Sequence, residues 1–207
     1  MSVWAVLPVK SLVEGKSRLE SELGQEERAE LNFDFFMNSA DALLKAPSID
    51  GLCVVTKDPH VLLQAERLGA LALEEEGAGL NLALDQARSV LAERDIHQML
   101  VMPADLPLVR SSCIEEILRR RKTGPQVILV PDRRMDGTNL LYLDPAEDFD
   151  FSFGEGSFEK HRGQAIERGR KLDVVYSEEL AFDVDTPEDL DWLRKKWTAF
   201  PSLKEKR

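Results

Sequence analysis

Cysteine is almost absent from this 207-residue sequence. Its two cysteines, Cys53 and Cys113, lie far apart in apolar segments and lack the spacing of a metal site. We therefore expect reduced core thiols in a cytoplasmic protein, with no disulfide. No hydrophobic run approaches the length of a membrane helix, which needs about 20 apolar residues. The opening MSVWAVLPVK carries no basic leader, so we also expect no signal peptide.

Positively charged residues are outnumbered by acidic ones. Lys and Arg number 27 against 38 Asp and Glu, which gives a formal net charge of -11. Such a surface repels the phosphate backbone of nucleic acids and the headgroups of anionic membranes. We therefore expect neither nucleic acid nor a membrane as a partner. A small anionic substrate stays compatible with this charge if local cations or a metal ion offset it.

The composition is otherwise that of a globular domain, with 43% hydrophobic and 31% charged residues. The sequence shows no internal repeat and no low-complexity tract. Its length suits one domain with a substantial core better than two small domains. We expect a single domain over residues 1–200 and a disordered tail over residues 201–207.

Short apolar runs alternate with amphipathic segments along the chain, as expected for strands and helices. The predicted strands are VWAVLPV, GLCVVT, ALALEE, QMLVMPAD, QVILVP, TNLLYLD, LDVVYS and LAFDVDT. The predicted helices are Ser17–Ala46 with a break near Gly24, a helix after Asp58, GLNLALDQARSVLAERD, SSCIEEILRRRK capped by Ser111 or Ser112, Ser157–Arg168, and TPEDLDWLRKKW with a Thr186–Asp189 capping box. This alternation predicts a three-layer α/β/α fold with a mostly parallel, doubly wound sheet.

An acidic residue between two prolines ends one of the most apolar predicted strands, in the segment VMPADLPLV. A buried carboxylate without a partner is costly, so Asp105 needs either water or a cation. Parallel sheets bind ligands beyond the carboxyl ends of their strands. Lys10, Asp132 and the pair Asp183 and Asp185 also follow predicted strands. The carboxylates among them suit Mg²⁺, although local roles in turns and helix caps are an alternative.

Three cations, Lys10, Lys16 and Arg18, follow the first predicted strand within nine residues. They could neutralise a polyphosphate, although the glycine and lysine spacing of a P-loop is absent. A solvated basic loop is the alternative interpretation.

Two glycine-containing segments follow later in the chain. FGEGSFEKH leads into a predicted helix, where backbone amides point at anions, and DRRMDGTNLL places a turn before Thr138. His161 could contact a ligand or could serve a structural role. The sequence shows no Ser/His/Asp nucleophile arrangement and no zinc motif.

Six segments taken in order resemble one family: LPVKSLVEGKSRL, EGAGLNLAL, MPADLPL, PDRRMDGTNLL, FGEGSFEKH and DVDTPEDL. They look like segments of the phospholactate or phosphoenolpyruvate guanylyltransferases of coenzyme F(420) biosynthesis. The resemblance spans Val3 to about Leu193. It implies a nucleotide-diphospho-sugar transferase-like fold, related to the molybdenum-cofactor nucleotidyltransferases. It also implies that GTP and a three-carbon phospho-acid (2-phospholactate, phosphoenolpyruvate or 3-phosphoglycerate) react to give a guanylylated product and pyrophosphate.

The resemblance further implies roles for particular residues. The catalytic residues facing the triphosphate would be Lys10, Lys16 and Arg18. Nucleotide contacts would come from Gly77, Gly79, Leu80, Asn81, Pro103 and Asp105. The phosphate and carboxylate of the acceptor would contact Thr138, Gly154 and Ser157. The ligands of Mg²⁺ would be Asp105, Asp183 and Asp185.

Two departures qualify the resemblance. The G-x-G-x-R signature of sugar nucleotidyltransferases is absent, which counts against a sugar substrate. Glu155 stands where the guanylyltransferases often have proline, and we expect its side chain to face solvent. The alternatives are a CTP-dependent or molybdopterin-directed nucleotidyltransferase of the same fold, or a non-catalytic nucleotide-sensing module. A homodimer that packs through the helix carrying Phe33, Phe35 and Phe36 is an alternative to core packing of this helix.

Overall fold

A computed structural model describes residues 2–196, so the predicted tail at 201–207 lies outside the described residues. The strands are β1 Val3–Val9, β2 Gly51–Thr56, β3 Leu71–Glu74, β4 Gln98–Val101, β5 Gln126–Pro131, β6 Thr138–Asp144 and β7 Lys171–Val174. The helices are α1 Gln25–Leu44, α2 Pro59–Arg67, α3 Leu80–Ala92, α4 Ser111–Leu118, α5 Ser157–Glu167, α6 Glu178–Ala181 and α7 Pro187–Lys196. A single 3₁₀ turn, Ser17–Leu19, precedes α1.

All seven strands form one sheet in the order β3-β2-β1-β4-β6-β5-β7. Every neighbouring pair is parallel except those of β6, which runs antiparallel to both β4 and β5. The predicted mostly parallel α/β sheet is therefore confirmed. The connections diverge between β1 and β4, because β2 lies on one side of β1 and β4 on the other.

Helices cover both faces of the sheet because the strand side chains alternate in direction. In β1, Ala5 and Leu7 pack into a core with α1, α2 and α4, whereas Val6 packs into a second core with α3 and α5. Phe35 and Phe36 of α1 are almost fully buried within the chain. They therefore contribute to core packing, and the homodimer stays a prediction. Within residues 2–196, no helix is both long and apolar enough to cross a lipid bilayer.

Several local predictions are confirmed by hydrogen bonds. The Asp58 carboxylate accepts the backbone N–H groups of His60 and Val61 at the start of α2. Thr186 and Asp189 form the predicted capping box of α7: the Thr186 N–H donates to Asp189 Oδ2 at 3.0 Å, and the Asp189 N–H donates to Thr186 Oγ1 at 3.4 Å. The break near Gly24 is also present, because α1 begins at the next residue.

Two local predictions are wrong. Neither Ser111 nor Ser112 caps α4, because Arg110 is the last extended residue and both serines already lie in the helix. The segment LAFDVDT is not a strand. Its first part belongs to α6, and its remainder packs Phe182 and Val184 into a third core cluster without joining the sheet.

Candidate active site

Loops from distant parts of the chain meet beyond the carboxyl ends of β1 and β4. The loop after β1 carries Lys16, the loop after β4 carries Asp105, and the segment before α7 carries Asp183 and Asp185. This is the edge where the strand connections diverge, and open α/β sheets bind their ligands at such a point. The predicted location of the site therefore agrees with the topology.

Lys16 is the cation that Asp105 requires. Its ammonium lies 2.6 Å from Asp105 Oδ2 and 3.1 Å from Asp185 Oδ1, and its side chain is only 7% exposed. Burial by itself lowers the pKa of Lys16, but the charges of Asp105 and Asp185 outweigh burial and hold it above its ordinary value. Burial likewise raises the pKa of Asp105, but Lys16 outweighs it and the net direction is down. Both groups are therefore charged at neutral pH.

The pKa of Asp183 shifts in the opposite direction from that of Asp105. Burial, followed by the nearby charges of Asp105 and Asp185, raises the pKa of Asp183 to about 6. Lys16 opposes this effect without cancelling it. The three carboxylates therefore carry more negative charge than the buried ammonium offsets, which is an environment that attracts a further cation.

The other two predicted cations lie at the rim of the cluster. Arg18 Nη1 is 3.8 Å from Asp185 Oδ2, with the Arg18 side chain 70% exposed. Lys10 is exposed, and its charge lowers the pKa of Asp105 slightly. The structure therefore brings Lys10, Lys16 and Arg18 together around the carboxylates, with only Lys16 committed to a buried ion pair.

The donor atoms offered to a metal at this site are carboxylate oxygens. Within residues 2–196, no three His, Cys, Asp or Glu side chains lie close enough together to form a complete metal cage. Mg²⁺ does not require one, because it usually takes one or two carboxylates and fills its shell with water and substrate phosphates. One or two carboxylates from among Asp105, Asp183 and Asp185 therefore fit Mg²⁺ by donor type and charge, and the role of these residues as its ligands stays a prediction.

Arg133 holds the acidic segment in place, a contact that sequence reasoning missed. Its Nη2 donates to the Asp183 carbonyl oxygen at 3.2 Å and to Asp189 Oδ1 at 2.7 Å, and its guanidinium lies 4.4 Å from the Phe182 ring centroid. The other Asp189 oxygen accepts the backbone N–H of Asp185 at 3.1 Å. The side chains around this segment line a cavity of about 220 Å³: Asp132, Arg133, Arg134, Asp183, Asp185 and Asp189.

The predicted acceptor residues lie in or at the ends of two adjoining loops. Thr138 begins β6 and is buried, and Ser157 begins α5 and is also buried. Asp136 joins the loops, because its carboxylate accepts the Gly156 N–H at 3.1 Å and its carbonyl accepts the Phe158 N–H at 2.9 Å. Gly154 has φ +122, a backbone conformation that favours glycine. Glu155, between the glycines, is exposed as expected.

The predicted nucleotide segment GAGLN contacts the segment 153–157, here called the acceptor loop. The Asn81 side-chain amide donates to the Phe153 carbonyl at 3.2 Å, and its oxygen accepts the Phe153 N–H at 2.8 Å. The structure thus gives Asn81 a positioning role between the two loops. Nucleotide contacts from Gly77, Gly79, Leu80, Asn81 and Pro103 stay predictions.

Known proteins match this chain over nearly all of the residues that the structure describes. Residues 3–194 match the family described as "Guanylyl transferase CofC like". The phosphoenolpyruvate guanylyltransferase of Rubrobacter xylanophilus is 40% identical over 190 residues, which cover 92% of this chain and 92% of that protein. The 2-phospho-L-lactate guanylyltransferase of Methanocaldococcus infernus is 37% identical over 186 residues, which cover 89% of this chain and 81% of that protein.

Solved structures resemble the chain at lower identity. A protein described as a nucleotide-diphospho-sugar transferase from Desulfovibrio desulfuricans has a TM-score of 0.76 at 15% identity, covering 97% of this chain and 90% of its own. A nucleotidyl transferase from Methanothermobacter has a TM-score of 0.67 at 17% identity. The match covers 94% of this chain and 96% of that protein's chain. These similarities bear on the fold alone, and they confirm the predicted nucleotide-diphospho-sugar transferase-like architecture.

Proposed function

The chain belongs to the guanylyl transferase CofC-like family, and on that premise we propose that it transfers GMP from GTP to the phosphate of a three-carbon phospho-acid in coenzyme F(420) biosynthesis. The relatives' names indicate phosphoenolpyruvate or 2-phospho-L-lactate as the acceptor. The observation that carries this proposal is the cluster of Lys16, Asp105 and Asp185 at the carboxyl edge of the sheet.

The sheet register supports a shared site for the cluster and the acceptor loop. β4 and β6 pair antiparallel, with Val101 opposite Leu141. The end of β4 and the start of β6 therefore face the same edge, which brings the Asp105 loop beside Thr138. An acceptor bound at Thr138 would lie next to the cations that follow β1.

The chemistry needs positioning and charge compensation more than a strong base. An oxygen of the acceptor phosphate would attack the α-phosphorus of GTP, and the bond from that phosphorus to the bridging oxygen would break, releasing pyrophosphate. The attacking oxygen is already anionic, so no proton has to be removed. Lys10, Lys16 and Arg18 would reduce the repulsion between the two anions and hold them in line. The site accordingly combines cations and carboxylates.

Asp105, Asp183 and Asp185 would hold Mg²⁺, which when bound would supply positive charge to the reacting phosphates. The carboxylates have to accommodate this ion while Lys16 is paired with two of them. We therefore infer that Lys16 exchanges part of its contact with Asp105 and Asp185 for contact with the triphosphate. Cytoplasmic location is likewise our proposal, supported by the buried free thiols of Cys53 and Cys113.

The direct test is pyrophosphate release from GTP and Mg²⁺ with 2-phospholactate, phosphoenolpyruvate and 3-phosphoglycerate supplied separately. We expect release with one acceptor and none without it. A parallel series with CTP tests the alternative nucleotide. Faster turnover with CTP would contradict the proposal in favour of a cytidylyltransferase. GTP binding without turnover on any acceptor would contradict it in favour of a nucleotide sensor.

A further inference from the structure

His161 contacts two separate segments near the predicted acceptor residues, one through each ring nitrogen. Its side chain is fully buried in α5. Nε2 lies 3.0 Å from the backbone nitrogen of Ser152, and Nδ1 lies 3.0 Å from Thr138 Oγ1. The imidazole therefore connects the segment before the FGEGS loop to the first residue of β6.

These two contacts determine which ring nitrogen carries the proton. A backbone N–H can only donate, so Nε2 of His161 must be the acceptor for Ser152. Burial, followed by the charge of Lys160, lowers the pKa of His161 to about 4, so the ring is neutral at physiological pH. A neutral imidazole has one N–H, which here must lie on Nδ1 and donate to Thr138 Oγ1.

The direction of the Thr138 hydroxyl follows from this arrangement. Because Thr138 Oγ1 accepts a hydrogen bond from His161, its own hydrogen does not point at the ring. Among the described residues, Thr138 Oγ1 makes no other side-chain hydrogen bond, so that hydrogen is available to an anionic oxygen of a ligand. Thr138 thereby becomes a hydrogen-bond donor at the place where the phospho-acid is expected to bind.

We propose that His161 is a positioning residue that directs the hydroxyl hydrogen of Thr138 toward an anionic oxygen of the acceptor. This inference rests on the proposed function and adds a residue that orients the phospho-acid. His161 acts through Thr138 and does not itself touch the substrate.

The surrounding aromatic residues keep the imidazole in this orientation. The ring of Phe153 packs edge-on at 4.9 Å between centroids, and that of Phe149 lies at 6.0 Å. The backbone of Phe153 is in turn held by Asn81. A ring that flipped, or that carried its proton on Nε2, would leave the partly buried Ser152 N–H without an acceptor, which costs free energy.

Two substitutions separate orientation of Thr138 from simple support of the loop. In His161→Asn, the side-chain amide can reach the position of Nδ1 and donate to Thr138, but it loses the Ser152 contact. In His161→Gln, the side-chain oxygen can reach the position of Nε2 and accept from Ser152, but the donor to Thr138 is lost. We therefore expect the glutamine variant to be the more impaired in its use of the phospho-acid.

The measurement is steady-state kinetics with the acceptor and GTP varied separately. We expect His161→Gln to raise the KM for the acceptor by roughly 10-fold, since one hydrogen bond to an anion is lost, and to leave the KM for GTP unchanged. We expect His161→Asn to change the acceptor KM less. A larger defect in His161→Asn, or equal defects in the two variants, would overturn the proposal in favour of loop support.

A double-mutant cycle tests whether His161 acts through Thr138. Thr138→Val removes the hydroxyl, so adding His161→Gln to it should raise the acceptor KM no further. Additive losses would overturn the proposal. Nitrogen NMR of the wild-type imidazole provides a readout independent of turnover, because it should show the proton on Nδ1; a proton on Nε2 would also overturn the proposal.

A failure of the proposed function can be distinguished from a failure of this inference. If the wild-type protein releases no pyrophosphate with any acceptor, the proposed function fails. Calorimetric titration with phosphoenolpyruvate then decides the inference alone. Weaker binding by His161→Gln than by His161→Asn would support it. Equal binding, or no binding by the wild-type protein, would overturn it.

Discussion

The ammonium of Lys16 lies 2.6 Å from the carboxylate of Asp105, which is 89 residues away in the sequence. This ion pair explains why an acidic residue can follow the buried strand β4, because the loop after β1 supplies its counter-charge. The same ammonium reaches Asp185 at 3.1 Å. One lysine thus ties together the three chain segments that form the candidate site.

Removing this ammonium should destabilise the metal-free protein. Lys16→Met leaves three carboxylates without a buried cation, so we expect the free energy of unfolding to fall by roughly 1–2 kcal/mol. Fully buried pairs lose roughly 3–5 kcal/mol; the loss is smaller here because the side chains of Asp105 and Asp185 are 34% and 42% exposed. Urea unfolding followed by tryptophan fluorescence measures the change.

The matched control for this variant is Lys45→Met, which removes the exposed pair between Lys45 and Asp41 on α1. It should alter stability by no more than a few tenths of a kcal/mol. Added Mg²⁺ should restore stability to Lys16→Met more than it stabilises the wild-type protein, because the metal replaces the missing charge. Equal losses in the two variants would show that Lys16 is not a structural counter-ion.

The carboxylate of Asp105 should be essential for turnover. Asp105→Asn keeps the shape of the side chain but removes the charge that pairs with Lys16 and would bind Mg²⁺. We expect kcat/KM to fall by about 100-fold or more and Mn²⁺ binding, followed by electron paramagnetic resonance, to weaken. Asp41→Asn on the exposed face of α1 is the control. Full activity in Asp105→Asn would rule out the metal assignment.

Much of the fold is readable from the sequence because local patterns determine it. The continuous apolar run of β1 predicts a strand covered on both faces, and side chains within three residues form the Asp58 and Thr186 caps. The segment from Phe182 to Asp185 shows the limit of this reasoning. Its alternation of apolar and acidic residues correctly predicts that Phe182 and Val184 are buried. Burial against helices, however, produces the same sequence pattern as pairing in a sheet.

Which residues form the candidate site is easier to predict from the sequence than which contacts they make. The order of strands and the types of residue after them predict that Lys16 and Asp105 share one edge of the sheet. They do not predict that Lys16 is buried between two carboxylates, or that Asn81 pairs with the backbone of Phe153. Such contacts join residues about 70 to 170 positions apart, and only the packed loops determine them.

Arg133 should control how well the acidic segment binds a divalent cation. Its guanidinium contacts the Asp183 carbonyl, the Asp189 carboxylate and the Phe182 ring together, which a lysine ammonium cannot do. We therefore expect Arg133→Lys and Arg133→Ala both to weaken Mn²⁺ binding, by roughly 5- to 50-fold if about 1–2.3 kcal/mol of positioning is lost.

Arg162→Ala, which removes an exposed ion pair with Glu159 on α5, is the control for Arg133 and should leave Mn²⁺ binding unchanged. Wild-type Mn²⁺ affinity in Arg133→Ala would show that the segment carrying Asp183 and Asp185 holds its shape without the arginine.

His161 should make stability depend on pH over a defined range. Burial, followed by the charge of Lys160, lowers its pKa in the folded protein to about 4, against about 6.5 for an unperturbed histidine. Between these values the unfolded chain binds more protons, so stability falls as pH decreases from about 6.5 to about 4 and the contribution is complete above that range. The shift corresponds to about 3 kcal/mol in total.

The difference in free energy of unfolding between wild type and His161→Gln isolates this effect, because the other titrating groups largely cancel. At pH 7 the wild-type protein should have its largest advantage over the variant. That advantage should shrink as pH falls to about 4, by at most about 1.4 kcal/mol per pH unit. Urea unfolding at several pH values measures it. A difference that stays constant would mean that the folded protein does not lower the pKa of the imidazole.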